Sequence, residues 1–536
     1  MRLGTQRRMN TPEEWSFVVP VIALAIPVTL ALAAVISPRR AGLASGAALG
    51  LALLVTGGAA LTWGAATQMG PRLGVRVDAV TCVMLLLVAT LGAIIVRYSR
   101  TYLQGAPGLV RYLRWLLLTL SAVTALVIAN NLLVVVLGWT ATSVALHQLL
   151  TFYRERPAAL VAAHKKFLVS RLADLCLLGC LALVHQDVGS LELDRIAAWA
   201  GAHPTLSPSM QAAAVLLVIA VALRSAQLPF HGWLLQVMEA PTPVSALLHA
   251  GVVNIGGFVL LRLAPWMAHA ALAQLLLVVI GLGSALIAAL VMTTRVSVKV
   301  SLAWSTCAQM GFMLVQCGLG LWHLALLHLV AHSLYKAHAF LSAGTAVDEW
   351  RLRAMTKQPP PPSWGRLGIG VLVAAGSAAL CVLVLRHAAA LRPADERSVA
   401  LLALVVSLSL VPLLTRKTTG IFTAAGVALR VSGVVLLYVG WHAAAAQLMP
   451  SRDATPNGPV WVLVGLGFVG LFAMKATLQL FPEGRLARAV YPWLFAGLYL
   501  DERFTRLTFR VWPPRLQRRS ESAPATRIQE TLEAHT

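Results

Sequence analysis

His328, His332 and Lys336 recur at intervals of four residues inside an apolar run. On a helix this spacing places all three on one face over about two turns. Histidine titrates near pH 6.5 and exchanges protons at modest cost, so such a row suits proton transfer through a dry helix bundle. His338 falls off that face. Two histidines four apart can also hold zinc. No glutamate stands between them as on a metalloprotease helix, however, and Lys336 would repel the metal. Plain packing is the remaining alternative.

Four more constellations lie upstream. The first opens on Lys165 and Lys166, and in it Arg171 and Asp174, three apart on a helix, can pair and so lower the cost of burying both; the alternative is a purely structural ion pair. Arg224, Pro229, His231 and Gly232 fall in one apolar run and predict a discontinuous helix. The proline removes a donor and frees backbone groups to line a hydrated cavity. Glu239 precedes Ala240-Pro-Thr-Pro, and His249 sits in the helix after it. Lys299 opens a further span, where a snorkelling role is the alternative. Each charge inside a span costs at least about 2.5–3.5 kcal/mol at the bilayer centre, which makes it a functional candidate. The ten candidates for ion translocation are Arg171, Asp174, Arg224, His231, Glu239, His249, Lys299, His328, His332 and Lys336.

The elements that must position them are membrane helices. The chain has 536 residues, of which 58% are hydrophobic and 12% charged, against roughly 25% charged in soluble domains. That excludes a soluble enzyme and a nucleic-acid-binding domain, even at a net charge of +23. About fifteen apolar segments reach the ~20 residues needed to span the hydrocarbon core. The expected fold is therefore an all-α polytopic membrane protein, multi-pass in the cell inner membrane, with the lipid bilayer as its surroundings. Basic residues collect in loops assigned to one side, among them Arg100 to Arg114, Lys165 with Lys166, Arg295 and the tail from Arg485. By the positive-inside rule the amino terminus lies outside and the tail in the cytoplasm. Arg2, Arg7, Arg8, Arg72, Arg76, Arg392 and Arg397 run against that pattern. The six cysteines fall in apolar stretches and read as packing residues. There is no extended soluble domain, so chemistry outside the membrane would need a partner. In the tail, Leu500, Phe504 and Leu507 form a helical stripe that could offer docking.

Three strings now stand together: Ser225-Ala-Gln-Leu-Pro229, Ala240-Pro-Thr-Pro-Val-Ser-Ala-Leu-Leu-His249 and His332-Ser-Leu-Tyr-Lys336. With them, residues near 75–350 resemble the proton-conducting subunits of respiratory complex I and of multisubunit cation/proton antiporters, subunit L in particular. The resemblance implies two inverted-topology five-helix repeats, at 112–264 and 265–414, the first holding the one broken helix near Pro229. They would be flanked by helices at 1–111 and 415–482 and a basic tail at 483–536. It also implies that Asp174, Arg224, His249, Lys299, His328, His332 and Lys336 belong to a polar axis that moves protons.

Within this family, the segments Met238–Gly257 and His328–Trp350 are most similar to the membrane subunits of DAB-type inorganic carbon complexes. That implies a DabA-like cytoplasmic zinc subunit as partner, CO2 hydration to bicarbonate in that partner, and no cofactor or metal in this chain. Two positions depart from subunit L. Thr140 stands where a glutamate follows Gly138-Trp139, and Arg224 replaces the broken-helix lysine. Arginine is too basic to release a proton, so Glu239 or a partner's carboxylate becomes a candidate replacement. Residues 367–386 carry no proline, which predicts one working half-channel. The alternative function is an ion-translocating subunit of an NADH-quinone oxidoreductase or a cation/proton antiporter; a non-conducting anchor for an enzyme is a third reading.

Overall fold

The computed structural model describes residues 12–61, 73–355, 364–387 and 458–512, with isolated positions between 400 and 440. The fold is an all-helical membrane bundle. Ten of its described helical segments are long and apolar enough to cross a membrane. In chain order the helices begin with α1 (Pro12–Ile36), α2 (Ala41–Leu61), α3 (Ala79–Tyr102), α4 (Leu109–Ile128), α5 (Leu132–Leu150) and the 32-residue α6 (Pro157–Val188). After the short α7 (Leu193–Ala202) come α8 (Pro208–Arg224), α9 (Gly232–Gln236), α10 (Thr242–Ala250), α11 (Ile255–Arg262) and α12 (Ala264–Met267). The second half holds α13 (Ala271–Val291), α14 (Val298–Gly318), α15 (Trp322–Leu341), α16 (Ala346–Met355) and α17 (Trp364–His387). Further on are α18 (Gly458–Leu480), α19 (Arg485–Phe495) and α20 (Leu500–Val511).

Ten of the fifteen expected spans are matched by candidate spans among the described residues, and two of the others depart for physical reasons. The segment expected at 211–235 is split, and α8 stops after 17 residues. α15 is 20 residues long, but its four histidines and Lys336 dilute its apolar character. The expected spans near 398–414 and 419–447 lie largely outside the described residues, as do Arg2, Arg7, Arg8, Arg72, Arg392 and Arg397. α17 runs unbroken over 24 residues.

α13 and α14 pack against each other along much of their length. They can do so because Gly281 and Gly311 face each other: a Cβ on either would press on the other's carbonyl oxygen. Small residues at a crossing let membrane helices approach backbone to backbone. Large side chains such as Leu43, Leu61, Leu175 and Leu466 point outward, as expected for helices that meet lipid.

At the end of α11, Arg262 donates from Nη1 to both carboxylate oxygens of Asp78, at 2.9 and 2.7 Å. Asp78 caps α3 through the Thr81 amide at 2.9 Å, an N-cap of the usual kind. Arg76 reaches Asp78 at 2.9 Å and Asp194 at 3.1 Å. Its charge thus joins a clamp that ties α11 and α7 to the start of α3. Burial pushes the Asp78 carboxyl up, but Arg262, Arg76 and the Thr81 hydrogen bonds outweigh it and hold it well below the usual range.

Candidate functional site

The helix break comes where the proline predicted it. α8 ends on Arg224, Ala226 takes a positive φ of 52°, and the chain resumes helical form at Gly232. Backbone groups freed in the break find other partners: the Leu228 amide donates to Ser284 Oγ at 3.1 Å, and the Gln227 amide to the Ala222 carbonyl at 3.1 Å. A second interruption follows between α10 and α11, at Gly251–Asn254. Asn254 steadies it by donating to the Ala250 carbonyl at 3.0 Å and to Ser333 Oγ at 2.7 Å. Gly251 and Asn254 were the sequence signal for it.

Arg224 lies buried at the lip of the first break, its side chain 4% exposed. It pairs with Asp174, which also faces Arg171 at 2.8 Å and accepts from Thr140 Oγ1 at 2.9 Å. The Arg224 guanidinium sits 4.6 Å from the Trp139 ring centre, within cation–π range. Asp174 on α6 therefore supplies the carboxylate that position 140 lacks, and Thr140 orients it. Glu239, the candidate replacement, stands elsewhere: it ends the 3-10 turn Val237–Glu239, is half exposed, and has Arg156 3.9 Å away.

A second group gathers around α14. His249 Nδ1 lies 3.0 Å from Thr306 Oγ1, and its ring stacks on Phe340 at 4.4 Å. Lys336 is fully buried and donates to the Leu302 carbonyl at 2.8 Å and to Ser305 Oγ at 2.7 Å. His328 meets Gln316 at 2.8 Å, and its ring stands 6.0 Å from that of His332. His332 has no hydrogen-bond partner at either ring nitrogen and lies within electrostatic reach of His328, Lys336 and His249. Lys299 donates to Thr242 Oγ1 at 2.9 Å, so it is anchored to α10. His231, in the break, rests on Trp304 with ring centres 4.7 Å apart. One helix, α14, thus touches His231, His249 and Lys336 through Trp304, Thr306, Leu302 and Ser305. Beyond Lys336, Ser305 borders a cavity of about 370 Å³ that Gln309 and Lys475 also line. Among the described residues no cluster of three metal-ligating side chains occurs.

Two lysines read from sequence as loop charges are buried. Lys165 and Lys166 stand inside α6, at 0% and 4% exposure. Lys166 donates to the Ser143 carbonyl and hydroxyl, each at 2.8 Å, and lies within reach of Arg224 and Arg171. α6 is longer than one span, so residues that hydropathy assigns to its mouth are drawn into the bundle. Their nearness to Arg171 and Asp174 in sequence was the available clue.

The geometry is therefore a charged pair at a broken helix, followed by a row of histidines and a lysine. Comparison with known proteins bears on what carries such a row. Residues 129–358 match the family described as NADH:quinone oxidoreductase/Mrp antiporter, TM, and residues 63–113 the complex I chain 5 amino-terminal family. The chain is 40% identical over 508 residues to the "Probable inorganic carbon transporter subunit DabB" of Hydrogenovibrio crunogenus, covering 92% of this chain and 94% of that protein. The chain belongs to the DabB family of inorganic carbon transporter subunits. Identity to subunit L of the Rhodobacter capsulatus NADH-quinone oxidoreductase is 34%, over 54% of this chain and 43% of that one. Among solved structures, the Mrp complex from Dietzia sp. shares the fold, with a TM-score of 0.60 at 22% identity. It matches 97% of this chain, which spans 62% of the length of the chain it matches there. This is a membrane subunit of an ion-transporting family whose members work in multisubunit complexes.

Proposed function

We propose that this chain conducts protons, or sodium ions, as the membrane subunit of a DAB-type complex, and that the ion gradient drives CO2 hydration and bicarbonate accumulation by a cytoplasmic DabA-like zinc partner. The observation that supports the ion-conducting part is the burial of titratable side chains inside the bundle: the Arg224–Asp174 pair at the broken helix, and His249, His332 and Lys336 within electrostatic reach of one another. Likeness to DabB relatives along 92% of the chain, against 54% for subunit L, favours the carbon complex over a respiratory pump. Arg224 keeps its charge and acts as a fixed field that sets the proton affinity of its neighbours. His249 and His332 carry the proton, and Lys336 passes it on. Catalysis and the zinc that it needs belong to the partner. In this reading the tail lies in the cytoplasm and the amino terminus outside, the orientation that the basic loops favour.

Uptake of labelled inorganic carbon by cells that express this chain alone, the partner alone, or both tests the reading. Accumulation should require both. Accumulation by this chain alone would refute it, and co-purification with respiratory or antiporter subunits would move the chain to the alternative class.

A further inference from the structure

The carboxy-terminal helix α20 packs back onto the bundle. Asp501, in the first turn of α20, reaches into the break of the ion path. Its Oδ1 accepts from Lys165 Nζ at 2.8 Å, and its Oδ2 accepts from Gln236 Nε2 at 3.0 Å. Lys165 is 0% exposed, while the Asp501 side chain keeps 28% of its surface open. The carboxylate thus bridges a buried lysine and the outside of the bundle. Gly232 makes room for it, since a Cβ there would collide with Asp501 Oδ1. His231 next door is fully buried, lies within electrostatic reach of both Asp501 and Lys165, and leaves its Nε2 without a hydrogen-bond partner.

The tail is fastened on both sides of this point. Before it, Arg295 donates to the Leu494 carbonyl at 2.9 Å. After it, Phe504 meets Phe230 edge-on at 5.7 Å, and Trp512 stacks on His164 with ring centres 4.0 Å apart. Phe504 therefore faces the break, and the stripe read from sequence as a docking face is split: Phe504 turns inward while Leu507 stays exposed.

We propose that Asp501, Lys165 and His231 form the cytoplasmic mouth of the ion path, a site for a proton or monovalent cation that the tail helix completes from outside the spanning bundle. An anchor would be served by the aromatic contacts alone. A carboxylate that shares its two oxygens between a buried lysine and an amide, with one side exposed, can take a proton from water on one oxygen and pass it to a neutral buried group, His231, whose Nε2 has no hydrogen-bond partner. A monovalent cation would be held at the same oxygens. The inference rests on the ion-conducting reading.

The test uses the whole complex, co-expressed with its partner, purified and reconstituted into proteoliposomes that trap a pH-sensitive dye. Asp501→Asn should leave assembly intact yet slow proton-gradient dissipation and labelled carbon uptake by roughly tenfold or more. Asp501→Glu should recover much of the rate. A rate equal to the unsubstituted complex in Asp501→Asn overturns the proposal, and so does loss of rate that merely follows loss of the partner or of the folded chain. His332→Ala run in parallel separates the two ideas. If it is inactive while Asp501→Asn is active, the mouth is wrong and the path stands; if it too is active, the path itself falls.

Discussion

Replacing Asp174 by leucine strands two guanidinium groups, and the structure says which loss dominates. Arg224 is the buried partner, 4% exposed, whereas Arg171 is 34% exposed. Deleting one member of a buried pair costs about 3–5 kcal/mol because the other charge is left uncompensated. An exposed pair is worth about 0–1 kcal/mol. Thr140 stays near Arg224 at 3.5 Å and Trp139 at 4.6 Å, which places the loss near the lower end of that range. Asp174→Leu should therefore cost about 3 kcal/mol, and Arg171→Ala no more than about 1 kcal/mol. Combining Asp174→Leu with Arg224→Met removes both charges, and apolar replacement of a buried pair is often neutral or favourable. The double variant should regain most of the stability and none of the transport. Unfolding of the purified chain in mixed-detergent titrations measures the first quantity, and labelled carbon uptake the second. Equal stability of Asp174→Leu and Arg171→Ala would refute the assignment of Arg224 as the buried charge. Transport by the double variant would refute its role in the path.

Three further outcomes are expected. His332→Ala should abolish carbon accumulation with the complex still assembled, and Arg224→Lys should retain part of it; normal accumulation in His332→Ala would remove the relay. Asp78 has its proton affinity depressed in the folded state, so it contributes stability above its unfolded value of 3.8, lost as pH falls through the lower folded value. Thermal unfolding from pH 6 down to pH 3 should show that slope, and Asp78→Asn should flatten it. Deleting the residues after Glu483 should leave the spans inserted but uncover Lys165 and release the partner during affinity purification. Retention of the partner would place its docking site on the loops between spans.

Much of the candidate site was legible in the sequence because it rests on local rules. A four-residue interval fixes a helical face whatever surrounds it, so His328, His332 and Lys336 share one side of α15. Pro229 with Arg224, His231 and Gly232 in one apolar run marked the break near Pro229; proline alone does not break a span, since α1 runs on through Pro20 and Pro27. The apolar composition alone required membrane helices.

What the tertiary structure decided is which charges meet. Thr140 and Arg224 announced a missing carboxylate, but hydropathy and spacing say nothing about distance between helices. The 34 residues from Thr140 to Asp174 close into a hydrogen bond only when α5 and α6 pack. Lys165 and Lys166 looked like loop charges because sequence windows cannot see a helix that runs on past the span. Asp501 lies 336 positions from Lys165 in the chain. No local pattern links them, since their contact exists solely because the tail folds back over the break and a glycine there leaves space for a carboxylate.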